Sequence, residues 1–168
     1  MKKILNVIAA FAILFGSIAS AQAAGNPYGG TAVTPPAPTE VIFSITNGSI
    51  LKTYSMNDLK KMKPVSLTIY EPFVKKRQSF LAVPLSAFIK DAKIRSTAKL
   101  STIALNDYVY DNTLSNFLKA KAYIAIERSG KPIAYDQGGP IRIIFPTGSI
   151  WSKNLDPWNW SLRSIVVK

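Results

Sequence analysis

The segment 138–146, GGPIRIIFP, constrains the fold more than any other part of the chain. Glycine and proline stand at its ends, and the residues between them alternate as a strand does. Ile141, Ile143 and Phe145 fall on one face, Arg142 and Ile144 on the other. A strand this apolar on both faces belongs inside a domain, and Arg142 is then a difficulty. A guanidinium keeps its charge at any pH a folded protein meets and offers five donors in a planar fork. If its face is covered, it needs either a carboxylate of its own chain, with Asp136 and Asp107 as candidates, or the polar edge of a bound molecule.

The rest of the composition narrows the chemistry. The chain has 168 residues and contains no Cys and no His. Thiol catalysis, disulfides and thiolate metal sites are therefore excluded. The commonest general base and transition-metal ligand is missing as well. Residues 1–23 read as a secretory signal peptide: a basic Met1-Lys2-Lys3, an almost wholly apolar run over 4–18, and small-x-small cleavage sites after Ala21 or Ala23. This implies export to the periplasm. A retained membrane anchor is the alternative, but the apolar run is short for a span. No Cys follows it to carry a lipid. Cleavage leaves about 145 residues, enough for one domain with a real core.

The formal net charge is +12, and losing Lys2 and Lys3 leaves +10. Small clusters stand at Lys60-Lys61-Lys63 and Lys75-Lys76-Arg77. A solvated basic surface, an anionic lipid surface or an acidic partner all fit this balance; nucleic acid is not expected of an exported protein.

Residues 24–39 are rich in Gly, Pro and Thr and read as a flexible lead-in, with a single domain over 40–168. Within it, VIFSI (41–45) and ILKTYS are strands joined by a hairpin turn at Asn47-Gly48. Ser55 caps a short helix over 56–62, with Asp58 at its third position. VSLTIY is a third strand, and 71–77 a polar loop. FLAVPLSAFIKDA leads from a strand into a helix, with Pro84 in its first turn. KLSTIALNDYVYDNT is a strand followed by a turn, and LSNFLKA a short helix. AYIAIERSGKPIA is a hairpin tipped by Ser129-Gly130, and LRSIVVK closes as a strand. Short strands with interspersed short helices make the class α+β, with mixed sheets.

In this order, FLAVPLSAFIKDA, IALNDYVYDNT, AYIAIERSGKPIAYDQGGPIRIIFP and NWSLRSIVVK resemble the molybdopterin-binding domain of the sulfite oxidase family. That family carries a GxPL helix start, a strand ending in Asp-Gly-Tyr, an NGxPL hairpin, a GxPxRxxxP strand and a Trp-containing closing segment. The resemblance runs from about residue 65 to 167. The family's enzymes hold molybdenum through a Cys before the GxPL element, where this chain has SLTIYEPFVKKRQSFLAVPL and no Cys. The resemblance therefore implies a pterin pocket without molybdenum oxidoreductase chemistry. It points further, to the small exported proteins of this fold that bind a reduced pterin and report to inner-membrane enzymes making or degrading cyclic di-GMP. The alternatives are a divergent molybdopterin-dependent oxidoreductase lacking the Cys ligand, or a ligand-free interaction module.

A pterin needs acceptors for its N–H groups, a donor for its carbonyl and aromatic faces to stack on. Candidate ligand-binding residues are Arg142, Asp107, Tyr108, Glu71, Trp151, Trp158, Gly138 and Gly139. Asp107 could instead cap its turn, Tyr108 pack ordinarily, and Glu71 be a plain loop residue. Of the three tryptophans in SIWSKNLDPWNWS, Trp160 is expected to close the core, and Trp151 and Trp158 to stack on a ligand or partner. Gly138-Gly139 would let backbone approach a ligand, or simply form a turn.

Overall fold

The computed structural model describes residues 34–168. The stretch read as a signal sequence, with its expected cleavage sites, and most of the expected lead-in lie outside these residues. Ten strands and three short helices follow in the order β1 Val41–Asn47, β2 Ile50–Ser55, α1 Met56–Lys61, β3 Val65–Glu71, β4 Lys76–Pro84, α2 Leu85–Asp91, β5 Lys99–Ala104, β6 Val109–Thr113, α3 Leu114–Lys119, β7 Tyr123–Arg128, β8 Lys131–Pro132, β9 Arg142–Ile144 and β10 Leu162–Val167. A single 3-10 turn, Tyr135–Gln137, lies between β8 and β9. Among the described residues no helix is long and apolar enough to cross a membrane.

The strands form two sheets, the first mixed and the second wholly antiparallel, within the α+β class that the sequence reading expects. One has the order β2-β1-β10-β5-β6, with β10 lying parallel to β1; the other runs β3-β4-β7-β8, and β9 also pairs with β7. β8 and β9 take successive stretches of β7: Glu127 and Arg128 pair with β8, and Tyr123 to Ala125 with β9. Between them the chain leaves the sheet. That excursion holds the 3-10 turn, Gly138 and Gly139, and returns the chain with Arg142 facing Ala125 across the ladder.

Local chemistry accounts for most boundaries. Ser55 and Asp58 form a reciprocal capping box at the start of α1. Pro84 stands one place earlier than expected, as the N-cap of α2. The first hairpin is also shifted by one. Asn47 pairs with Ile50, so Gly48-Ser49 make the turn, with Gly48 at φ +58°. The Asn47 amide is used elsewhere, donating to the Ala92 and Lys93 carbonyls at the end of α2. The stretch after β5 is more than a turn: β6 pairs along β5 from Ile103 to Lys99. The core fills the space between the sheets, and Phe43, Phe88, Phe117 and Phe145 are essentially without exposure.

Candidate functional site

Arg142 does find a carboxylate, and it is Glu71. The two side chains have no solvent exposure, and Arg142 Nη2 donates to Glu71 Oε1 at 2.6 Å. Glu71 is not in a loop. It is the last residue of β3, paired with Lys76, which shortens the expected polar loop to 72–75. Its second oxygen accepts from the Gln78 side-chain amide. The guanidinium also lies over two rings, with Cζ 4.8 Å from the Trp160 centroid and 6.0 Å from that of Phe80. Of the two carboxylates that sequence reading offered Arg142, Asp136 sits in the 3-10 turn, and Asp107 bonds Arg163 at 3.0 Å.

The glycines beside this pair serve close approach, to protein rather than to open space. Gly138 adopts φ +79°, and a Cβ there would lie 3.2 Å from Trp160 Cβ and 3.5 Å from Arg142 Nη1. A Cβ on Gly139 would stand 1.9 Å from the Ile133 carbonyl oxygen.

Trp160 joins this buried cluster to a cleft. A cavity of about 300 Å³ is lined by Phe73, Ala104, Asn106, Tyr108, Leu155, Trp158 and Trp160. Phe73 meets Trp160 edge-on, centroids 4.5 Å apart. Trp158 is held by its indole N–H, which donates to the Trp151 carbonyl at 2.9 Å, and by the Phe145 ring at 5.6 Å. The Tyr108 hydroxyl donates to the Asp156 carbonyl at 3.0 Å, tying the β5–β6 turn to the tryptophan loop. Burial first, and then the negative charge of Asp156, pushes the Tyr108 phenol above its ordinary value, so it remains a donor at neutral pH.

The expected residues thus divide. Tyr108 and Trp158 meet around the cleft, while Arg142, Glu71 and Gly138 lie beside its Trp160 wall. Trp151 sits apart, edge-on to Tyr110, Phe117 and Phe145 at 5.2–5.8 Å, as a core ring. Trp160 takes the place at the cleft that sequence reading gave to Trp151. Asp107 is largely exposed, at φ +63° in the turn, and the Asx bond there belongs to Asn106, whose Oδ1 accepts from Tyr108 N at 3.3 Å. Phe73 and Asn106 were not foreseen. Phe73 sits beside Pro72 in a hairpin tip, where an exposed aromatic is the one signal that could have flagged it.

A second cleft of about 460 Å³ lies on the other flank of Phe73, lined also by Val74, Lys76, Arg77, Gln78, Arg128 and Gln137. Three cations border it, and the Arg128 guanidinium donates to the Gln137 side-chain carbonyl.

Residues 45–159 match the family model of the oxidoreductase molybdopterin binding domain. The chain belongs to this family. Among solved structures it is similar to the sulfane dehydrogenase SoxCD from Paracoccus pantotrophus, with a TM-score of 0.60 at 14% identity. The match covers 84% of this chain and 45% of that one, so this molybdopterin-binding domain spans less than half the length of its structural relative. No curated protein matches the sequence.

The donor set decides how far the family's cofactor fits this domain. With no Cys or His in the sequence, no thiolate or imidazole is available to a metal. Glu71 is engaged by Arg142 and Gln78, and among the described residues no three acidic side chains gather. These residues do not fit a molybdenum centre held through a thiolate. The organic half of the cofactor fits better. Phe73, Tyr108, Trp158 and Trp160 offer flat apolar surface, and the cleft is at the lower end of the roughly 300–1,000 Å³ of small-molecule sites.

Proposed function

We propose that this protein is an exported, non-catalytic pterin-binding module. It takes a reduced pterin in its aromatic cleft and reports that state to an inner-membrane enzyme of cyclic di-GMP turnover. The observation that carries the binding half is an aromatic cleft, backed by a buried ion pair, in a family member without a thiolate. Ring stacking supplies affinity, worth about 1–3 kcal/mol per base-like ring. Asn106 brings donor and acceptor groups to the cleft, and Lys76, Arg77 and Arg128 in the adjoining cleft suit an acidic substituent. The Arg142–Glu71 pair acts from behind, fixing Trp160 through the 4.8 Å guanidinium contact. The signalling half rests on the resemblance to small exported pterin-binding proteins. A basic surface suits an anionic leaflet or an acidic partner.

Titrating 7,8-dihydropterin against tryptophan fluorescence tests the binding half. A saturable quench is expected, and Trp160→Leu weakens it by about ten- to a hundredfold, the loss of one stacking wall. A flat response in the unaltered protein would overturn the reading.

A further inference from the structure

Three loops meet around the aromatic cleft. The 72–75 tip brings Phe73, the β5–β6 turn Asn106 and Tyr108, and the 147–161 loop Leu155, Trp158 and Trp160. Phe73, Tyr108 and Leu155, with Leu105 beside Asn106, are each 40–45% exposed. Single exposed apolar residues need no explanation, but four on adjoining loops make a patch. Cations stand beside it. Lys75, Lys76 and Arg77 follow Phe73 along its hairpin, and Lys153 precedes Leu155 in its loop. The second cleft, on the other flank of Phe73, is lined by Lys76, Arg77 and Arg128 with the amides of Gln78 and Gln137, and by no carboxylate among the described residues. The acids of the three loops are Asp107, which bonds Arg163 at 3.0 Å, and Asp156.

Apolar side chains beside a basic hollow suit a surface that rests on anionic lipid, where the first enter the headgroup boundary and the second meets phosphate. We propose that these three loops dock on an anionic phospholipid surface. Phe73, Leu105, Tyr108 and Leu155 enter the boundary between headgroups and acyl chains, and the basic cleft of about 460 Å³ takes lipid phosphates. Charge complementarity favours this occupant over a protein. A protein partner presents a few charges in fixed places. The excess of cations here extends over the whole chain, at +12, and suits a negative surface without a fixed register. The inference goes beyond the pterin reading and does not depend on it.

The test is co-sedimentation of the full-length chain with vesicles of phosphatidylcholine alone, or of phosphatidylcholine with about one third phosphatidylglycerol. Binding to the anionic vesicles is expected to be tighter by about tenfold or more, and to weaken as salt is raised. Lys76→Gln with Arg77→Gln weakens it about tenfold or more at low salt. Phe73→Ser with Leu155→Ser weakens it by about the same factor. Leu51→Ser leaves it unchanged, because Leu51 is 63% exposed on β2, at the far edge of the sheet from the β5–β6 turn. The apolar run over 4–18 is common to all these chains, so differences between them report the loops. Lys76 and Arg77 are exposed, so their variant keeps the core intact and decides the question even where the apolar variant does not fold. Equal binding to both kinds of vesicle would overturn the proposal, as would parental binding by the cation variant or by a folded apolar variant. Sedimentation with neither kind would also overturn it, and would leave an acidic protein as the chemistry that fits this surface. None of these results bears on the pterin reading.

Discussion

Glu71→Ala lowers the free energy of unfolding by about 3–5 kcal/mol, read from the midpoint of a urea transition at unchanged slope. The substitution takes the carboxylate from a guanidinium that has no solvent exposure and cannot shed its proton. It also removes the acceptor of the Gln78 amide. A small cavity adds to the loss, but the lost carboxylate dominates, because the desolvation of Arg142 is then much less fully offset. The control is the double substitution Glu71→Leu with Arg142→Met. Removing both charges together recovers most of the stability, as replacing buried ion pairs by apolar side chains generally does. A Glu71→Ala protein within about 1 kcal/mol of the parent would show that water reaches Arg142 and that the pair is not a sealed element.

Gly139→Ala is expected to be as damaging through steric contact alone. The added Cβ would lie 1.9 Å from the Ile133 oxygen, 2.5 Å from its carbonyl carbon and 2.8 Å from the Ala134 oxygen. All three are backbone atoms, so no side chain can rotate out of the way. The Gly139 N–H bond to Ala134 O at 2.9 Å holds the segments together. The excursion between β8 and β9 must therefore open, carrying Gly138 off Trp160 and Arg142 away from Glu71. A loss of about 3 kcal/mol or more follows, at the upper end of overpacking effects. Gly130→Ala separates crowding from backbone strain. Gly130 also has a positive φ, +73°, but nothing within 4 Å of an added Cβ, so it loses only about 1 kcal/mol. Comparable losses at the two sites would contradict the crowding argument.

Much of the fold was legible because its signals are local. Ser55 and Asp58 announce α1, Ser129-Gly130 a hairpin, and the apolar alternation around Arg142 a buried strand. β6 was not legible. Tyr108, Asp111 and Asn112 look like turn residues, and only pairing with β5 holds Val109–Thr113 extended. The site was harder, because its decisive contacts join distant segments. Glu71 and Arg142 are 71 positions apart, and nothing near Glu71 in the sequence says that β3 runs on to bury it. The tryptophan roles likewise depend on where the 147–161 loop crosses the sheets. Trp151 lands on Phe117 and Phe145, whereas Trp160 lands on Arg142 and Phe73.

The most direct measurement on the central claim is of what the protein carries. The protein is produced from its full-length sequence, purified and denatured. The released material is then resolved by chromatography with fluorescence detection after mild oxidation, beside a molybdenum determination on the same sample. A pterin released without molybdenum is the result this account predicts, because the aromatic cleft persists while the chain has no thiolate. Molybdenum released in equal amount with the pterin would contradict it and return the domain to redox chemistry.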